Sequence, residues 1–411
     1  MAWGVGRVLR ERNAGLYLGG VVVSGFGSSA MSLAAGIWVK SLTGSSSLAA
    51  LTTFCVWAPA LAGPLIGTFA DRTRRLPLLV RANLVLAALL PALLAVGPGW
   101  RLGLLFAVLT VYGAAAVLLD AAEAALVAAA VPEGLRGDFN GLRLTANEGM
   151  KLVAPLAGAG LFVRFGGQAV AVLDAATFVL AAGAFALMRV AEPDPEPAPA
   201  GRWAAEAAEG ARWLWRHAAL RRLVAAGCAT MLVAGLNGAA VYAVVDAGLH
   251  RPPAFTGVLY AVQGVGSVVS GLVAGALLRR VPERVFAAAG IALFGAGVAL
   301  RTLPSAPVAL AASAMIGAGL PCVLIAALTA VQRETPGALL GRVAATANTL
   351  LFAPNAVALA AGAGLVAVLD HRALLIGAGC VALLAAAGCL LGRAPSGAAR
   401  PAERAGAGRG V

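Results

Sequence analysis

The chain has 411 residues, of which 60% are hydrophobic and 12% are charged, and its mean hydropathy is +0.88. Soluble domains carry about 25% charged residues, so this composition excludes a water-soluble globular fold. The formal net charge of +13 raises the question of a nucleic-acid partner, which the distribution of the basic residues answers.

Apolar segments fill nearly the whole sequence, and each is long enough to cross a membrane. A spanning α-helix needs about 20 mostly apolar residues, and longer segments tilt or extend beyond the lipid. The sequence therefore predicts an all-α membrane protein. Its twelve spanning helices are expected at residues 14–39, 46–70, 76–97, 102–131, 139–164, 168–190, 219–247, 254–278, 284–303, 306–331, 341–368 and 372–392.

Residues 191–218 interrupt the apolar pattern and divide the twelve segments into six and six. The stretch Glu192–Pro197 is rich in proline and favours an extended chain. The stretch Trp203–His217 is amphipathic, which predicts a helix lying on the membrane surface. We expect an N-terminal six-helix bundle at 1–190, a cytoplasmic linker at 191–218, a C-terminal six-helix bundle at 219–392 and a disordered cytoplasmic tail at 393–411.

The basic residues orient the chain. With the N-terminus in the cytoplasm, most arginines lie on the cytoplasmic side, including the cluster Arg72–Arg81, whereas each outer loop holds a single basic residue. The outer residues are Lys40, Arg101, Arg164, Arg251, Arg301 and Arg372. This bias is the positive-inside rule, so the positive charge faces anionic lipid headgroups and not nucleic acid. We expect a multi-pass protein of a bacterial cytoplasmic membrane with both termini in the cytoplasm.

The two halves of the sequence resemble each other. The stretch Gly63–Gly67 ends predicted helix 2 before a charged turn, and Gly271–Gly275 ends predicted helix 8 before another. A Thr-Ala-Asn triplet occurs at 145–147 in helix 5 and at 346–348 in helix 11. Repeated halves are typical of secondary transporters, which rock one bundle against the other around a site at the membrane midplane.

The turn between predicted helices 2 and 3 resembles the signature loop of the major facilitator superfamily, whose pattern is Gly-x-Leu-Ala-Asp-Arg-x-Gly-Arg-Arg. The matching residues are Gly67, Ala70, Asp71, Arg72 and Arg75, while Phe69 and Arg74 depart from the pattern. The resemblance covers roughly residues 10–392. It implies the major facilitator fold, with twelve helices in two bundles.

Further features resemble the twelve-helix drug:proton antiporter branch that includes macrolide and enterobactin exporters. They are the segment 41–45, the Gly-Pro…Ala-Asp-Arg run at 63–72, the linker segment 209–217 and the segment 341–343. Antiporters of the superfamily often carry Gly-Pro-x-x-Gly-Gly in helix 5, of which this chain retains Pro155 and Gly158.

By the same resemblance, the loop residues Gly67, Asp71, Arg72 and Arg75 form a conformational latch. A carboxylate beside arginines at a helix end makes charge-assisted contacts that break when the bundles rock. The alternative is that the loop only anchors the topology.

Four ionisable residues lie inside predicted helices 4 and 5, where charged side chains are costly and commonly functional. They are Asp120, Glu123, Glu148 and Lys151. Each helix carries its two residues three positions apart, hence on one face. At about 1.5 Å per residue, Asp120 and Lys151 both lie roughly 18 Å from the cytoplasmic helix ends, and the two glutamates roughly 14 Å. We hypothesise that Glu123 or Glu148 carries a coupled proton and that Lys151 biases its release; the alternative is a static ion-pair network.

Other polar side chains are candidates for a substrate cavity that is otherwise apolar, which suits an amphiphilic ligand. They are Asn237, Tyr242, Gln263, Asn348 and Asn355. For each of them, a hydrogen bond between helices is the alternative. The sequence contains no motif of a hydrolase, metalloprotease or phosphate-binding loop, so we expect no enzyme, no cofactor and no metal.

The sequence thus predicts a secondary active transporter that exports a small amphiphilic drug or secondary metabolite, coupled to protons, by alternating access. Its expected partners are the small-molecule substrate, protons and the lipid bilayer, and we expect a monomer. The alternatives are an importer or facilitator of a small metabolite on the same fold and, more remotely, a membrane receptor that transports nothing.

Overall fold

The computed structural model of the chain describes residues 7–63, 66, 73–96, 101–132, 136–190, 192 and 202–391, and these fold into helices joined by short turns. In the N-terminal half, the membrane-spanning helices are α1 (Arg12–Thr43), α2 (Ser46–Trp57, continued by a 3-10 turn at Ala58–Ala62), α3 (Arg75–Leu89, continued by a 3-10 turn at Leu90–Ala95), α4 (Arg101–Ala130), α5 (136–165) and α6 (167–186).

In the C-terminal half they are α7 (Ala218–Ala243, continued by a π-turn at Val244–Gly248), α8 (Phe255–Leu278), α9 (Glu283–Leu300), α10 (Ala306–Glu334), α11 (Gly337–Val368) and α12 (His371–Leu391). The amphipathic linker helix, Arg202–Arg216, lies between the halves.

The helices α5 and α6 form one uninterrupted run, Arg136–Ala186, that reverses at Gly166. Gly166 has φ 79° and ψ 175°, a conformation that glycine adopts without strain. The contacts made by α1 show this reversal. The contacts with α5 run along α1 toward Trp38, and those with α6 run back along α1 to Gly20, which lies beside Phe185 of α6. The run therefore contains two antiparallel helices.

The expected all-α membrane fold is confirmed. Ten helices of the described residues are long and apolar enough to span a membrane, and Ser46–Ala62 is a shorter apolar one. Because one of the ten contains the reversal at Gly166, the described part of the chain forms eleven long apolar helices and one shorter one, close to the predicted twelve spans, and each starts within a few residues of its predicted segment.

Each half has an apolar core of its own. Two clusters of buried side chains draw only on residues of the N-terminal half, and a third draws only on the C-terminal half together with the linker helix. Two smaller clusters combine residues of both halves. Because lipid is as apolar as these side chains, close packing drives the association of the helices. At Gly290 of α9, for example, an added Cβ would lie 2.8 Å from the Gly319 carbonyl oxygen of α10.

A two-residue turn joins α1 to α2 and places a lysine at the end of α1. Gly44 ends α1 in the left-handed conformation with φ 68°, and its N–H bonds to the Lys40 carbonyl. Ser45 then caps α2, since its side chain accepts a hydrogen bond from the Leu48 N–H at 3.2 Å. Glycine at a helix C-terminus and serine at an N-cap are the residues favoured there.

Candidate functional site

The signature loop is described only in part. Gly67, Asp71 and Arg72 lie outside the described residues, so the latch remains a prediction. Arg75 begins α3, and its N–H and that of Leu76 donate to the two carboxylate oxygens of Glu192 at 2.6 and 2.7 Å. A carboxylate is stabilised at a helix N-terminus by the unpaired N–H groups and the helix dipole. This contact was not predicted from the sequence, where its one signal was an acid a few residues after the end of α6.

An acidic cluster, which comprises Tyr17, Asp120, Glu123 and Arg143, joins three helices of the N-terminal bundle. The Tyr17 hydroxyl of α1 donates a hydrogen bond to Glu123 Oε2 of α4 at 3.4 Å, and the guanidinium of Arg143 of α5 lies near that hydroxyl. The Arg143 charge also acts on both carboxylates. Phe139 packs edge-on against the Tyr17 ring, with the centroids 5.3 Å apart, and so fixes the hydroxyl.

Asp120 is exposed although it lies well inside α4. At 1.5 Å per residue, it is about 15 Å from the end of the helix at Ala130, and Glu123 is about 10 Å from that end. A carboxylate inside a membrane is stable only beside water or a partner. Asp120 has the guanidinium of Arg143 near it, and its exposed side makes it a candidate for contact with water.

The described residues place a basic side chain near the acidic cluster that the depth argument did not include. Glu148 and Lys151 belong to α5, but the placement of their side chains lies outside the description, and their pairing with helix 4 stays a prediction. Arg143 is the basic residue of α5 that is described beside Asp120 and Glu123. Arg143 was not among the site residues predicted from the sequence, although its position inside predicted helix 5 was a signal.

The two bundles are bound together on the gate side, which we define as the membrane side where α1 ends at Thr43. Lys40 of α1 forms an ion pair of 2.5 Å with Asp246 at the end of α7. Its ammonium also donates to the Gly44 carbonyl at 2.6 Å and to Ser46 Oγ at 3.0 Å. Lys40 is only 6% exposed, so it is held as a fixed contact. A hydrogen bond from the Ser47 hydroxyl to the Ala363 carbonyl further joins α2 to α11.

Below this ion pair, Tyr242 of α7 packs directly on Gly36 of α1. An added Cβ at Gly36 would overlap the Tyr242 hydroxyl, so only glycine fits there in this state. Buried apolar side chains of α1, α2, α5, α7, α8 and α10 surround the contact. We call this assembly, from Lys40 and Asp246 to Gly36 and Tyr242, the closed gate.

The helix 5 motif lies at the same interface. Gly158 lets α5 approach α1, since an added Cβ would lie 2.6 Å from the Ala30 carbonyl oxygen. The Pro155 carbonyl lies beside Gly257 of α8, at 3.3 Å from the position of a Cβ there. Pro155 and Gly158 thus place α5 between α1 and the opposite bundle.

The candidates for the substrate cavity do not form a single group. Asn237 and Gln263 both contact the guanidinium of Arg301, at 3.0 and 3.5 Å, inside the C-terminal bundle. Tyr242 is a buried residue of the gate. On α11, Asn348 is exposed and Asn355 is half-buried.

Arg301 itself was expected in an outer loop. Its backbone does cap α9, but its side chain turns back into the bundle and is 2% exposed. Ser313 of α10 receives a hydrogen bond of 2.8 Å from the guanidinium. This orientation has no signal in the sequence, because hydropathy locates the end of a helix and not the direction of its last side chain.

Comparison with known proteins identifies the fold. A family model described as Major Facilitator Superfamily matches residues 17–358 and 223–411. A crystal structure of a bacterial homologue of the iron transporter ferroportin in an inward-facing state matches with a TM-score of 0.70 and 16% identity, covering 92% of this chain and 98% of that chain. No curated protein matches the sequence.

Two further solved structures show the same architecture. The POT family transporter PepTSo matches with a TM-score of 0.72 and 12% identity, covering 93% of this chain and 97% of that chain. The nucleoside transporter NupG matches with a TM-score of 0.71 and 11% identity, covering 91% of this chain and 98% of that chain. At these identities the likeness concerns the fold alone.

Proposed function

Since the chain belongs to the Major Facilitator Superfamily, we propose that this multi-pass membrane transporter exports a small amphiphilic compound in exchange for protons. The observation that carries the proposal is the acidic cluster in the N-terminal bundle. It holds two carboxylates, Asp120 and Glu123, beside one described guanidinium, that of Arg143.

The cluster is suited to proton exchange because its charges do not balance. One guanidinium neutralises one carboxylate, so a proton on the second carboxylate completes the neutralisation. The hydroxyl of Tyr17 donates to Glu123 and lies near Arg143, between the two groups. Asp120 is exposed, and on this proposal its exposed side contacts water. Loss of the proton leaves a net charge that water stabilises better than a closed interior does. The deprotonated cluster therefore favours an open cavity, and the protonated cluster tolerates a closed one.

The closed gate supports alternating access. Under the positive-inside orientation, the gate side is the outer side of a bacterial cytoplasmic membrane and both chain termini are cytoplasmic. The ion pair between Lys40 and Asp246 then closes the outer side, and a rocking motion of the bundles would break it. Exposed Asp120 and Asn348, from opposite bundles, are on this proposal lining residues of a cavity open to the cytoplasm.

Export is favoured over import by the resemblance to drug exporters and by the helix 5 motif, whose Pro155 and Gly158 pack at the interface of the bundles. The second candidate function is an importer or facilitator. The similar structures include peptide and nucleoside transporters and a homologue of an iron transporter, so the fold by itself does not favour a drug over a metabolite as the substrate.

The test uses inside-out membrane vesicles with an acidic interior, a fluorescent pH dye and a panel of macrolides, phenicols, tetracyclines and siderophores. We expect one compound class to collapse the gradient only when the protein is present. Glu123→Gln and Asp120→Asn should reduce this exchange at least tenfold, whereas Glu334→Gln, outside the acidic cluster, should not. Full exchange in both cluster variants would refute proton coupling at this site, and substrate uptake by whole cells would favour the importer.

A further inference from the structure

The C-terminal bundle buries a positive charge that lacks a counter-charge. Arg301 donates to Asn237 Oδ1 at 3.0 Å, to Ser313 Oγ at 2.8 Å and to Gln263 Oε1 at 3.5 Å. All three acceptors are neutral, and among the described residues no carboxylate contacts the guanidinium. The buried Nε also lacks a hydrogen-bond partner within that part of the chain.

These neutral acceptors leave the positive charge of the guanidinium without neutralisation. Arginine stays protonated in proteins, and a buried charge without a partner of opposite sign is strongly destabilising. The dipole at the end of α9 offsets part of this cost, but it leaves the charge and the Nε donor unsatisfied. Buried ionisable groups of this kind inside membrane proteins mark pathways for substrates and ions.

The guanidinium of Arg301 lies near the middle of the membrane, although the backbone of Arg301 is at a helix end. Its three acceptors lie on α7, α8 and α10. Counted at 1.5 Å per residue from the gate-side ends of these helices, they are roughly 10–17 Å deep, near the middle of a hydrocarbon core about 30 Å thick. Substrate sites of secondary transporters are expected at this depth.

One of the three acceptors, Gln263, is the most easily displaced from the guanidinium. Gln263 is half-buried, whereas Asn237 and Ser313 are 6% and 0% exposed. Its contact with Arg301, at 3.5 Å, is also the longest of the three and at the limit of a hydrogen bond. A carboxylate in its place makes charge-assisted hydrogen bonds, which are roughly twice as strong as neutral ones, and matches the planar fork of the guanidinium.

We propose that Arg301, Asn237 and Ser313 form a carboxylate-binding site, in which a carboxylate of the transported compound replaces Gln263 Oε1 on the guanidinium. This inference rests on the proposed function and narrows it to amphiphilic anions. Tyr260, half-buried on α8, packs against the buried cluster that contains Tyr242 of the closed gate.

The test compares two probes of nearly equal size, 1-naphthylacetate and the neutral 1-naphthylacetamide, on the full-length protein purified in detergent. Equilibrium dialysis gives the affinities, and the thermal unfolding midpoint reports the folded state. We expect the wild type to bind the carboxylate at least tenfold more tightly than the amide, and Arg301→Gln to lose this preference.

A second variant keeps the test valid if Arg301→Gln does not fold. Gln263→Glu places a carboxylate of the protein on the guanidinium. It should raise the unfolding midpoint without any probe and abolish the preference for naphthylacetate. The matched control is Gln332→Glu, at an exposed position of α10, which should behave as the wild type does.

The wild type overturns the proposal if it binds both probes equally or binds neither. A Gln263→Glu variant that retains the wild-type preference overturns it as well, because Arg301 would then be a structural residue only. The binding assay needs no pH gradient. If proton exchange is absent but the carboxylate preference is retained, only the proposed function is contradicted. If proton exchange occurs without a carboxylate preference, only the carboxylate site is contradicted.

Discussion

Substitution of Gly36 by alanine should hold the gate open. The added Cβ would overlap the Tyr242 hydroxyl and lie 2.5 Å from its Cζ and 3.0 Å from its Cε2. Carbon atoms in contact are normally about 3.5–4.0 Å apart, so α1 and α7 would have to separate by about 1 Å. In a packed interior, one excess methyl group costs about 1–3 kcal/mol. The cost falls on the closed state, and the equilibrium should shift toward the open state by roughly 5- to 150-fold.

The shift is measured with a cysteine introduced at Ala49, which is fully buried in the apolar cluster at the gate. The rate of its reaction with a membrane-impermeant maleimide follows the open population, once the labelling of the parent chain with its five native cysteines is subtracted. We expect Gly36→Ala to accelerate labelling from the gate side. The added substitution Tyr242→Ala should restore closure by removing the ring that the new methyl group meets.

A matched control is available on the same helix. At Gly25 an added Cβ would meet nothing within 4 Å, so Gly25→Ala should leave the labelling rate of the introduced cysteine unchanged. If Gly36→Ala labels no faster than Gly25→Ala, the contact between α1 and α7 does not limit opening, and the proposed gate is wrong.

Further predictions concern the contacts that set the gate and position the helices. Lys40→Ala should increase the same labelling rate about fivefold, as expected for an ion pair of about 1 kcal/mol, and exchanging the charges by Lys40→Asp with Asp246→Lys should restore it; no change in the single variant would refute the role of the pair. Glu192→Gln should weaken the cap of α3 by about 0.5–2 kcal/mol and lower the thermal unfolding midpoint, and an unchanged midpoint would show that the cap contributes nothing. Gly158→Ala should destabilise the protein, because its Cβ would lie 2.6 Å from an α1 carbonyl oxygen, whereas Gly160→Ala, with open space around it, should not; equal midpoints would contradict the close packing of α1 on α5.

The helices were predictable because membrane insertion depends on a local quantity. The number of consecutive apolar residues decides whether a segment spans, and the predicted segments 139–164 and 168–190 even bracket the reversal at Gly166. The all-α fold and the positions at which the chain crosses the membrane follow from these local counts of apolar residues, and they can be predicted without knowing how the helices pack.

The partners of the site residues were less predictable, because depth along a helix says nothing about the direction in which a side chain points. Depth placed Glu123 of helix 4 level with residues of helix 5, yet the described hydrogen-bond partner of Glu123 is Tyr17 of α1, and the charge acting on it from α5 is that of Arg143, which lies nearer the helix end than Lys151. The pairing of Lys40 with Asp246 spans 206 positions in the sequence. It depends on how the two bundles meet, for which a single sequence carries no local signal.

The two sites, one in each bundle, carry net charges of opposite sign, and this difference affects how ligand binding is coupled to transport. The acidic cluster of the N-terminal bundle has two carboxylates to one described arginine, whereas Arg301 of the C-terminal bundle has only neutral partners. On the two proposals, a proton neutralises the first site and a substrate carboxylate neutralises the second. Each bundle then loses its buried net charge only when its own ligand is bound. Since an unneutralised charge prefers the water of an open cavity, each bundle accepts closure of the cavity beside it more readily when its own ligand is bound and favours the open cavity when that ligand has left.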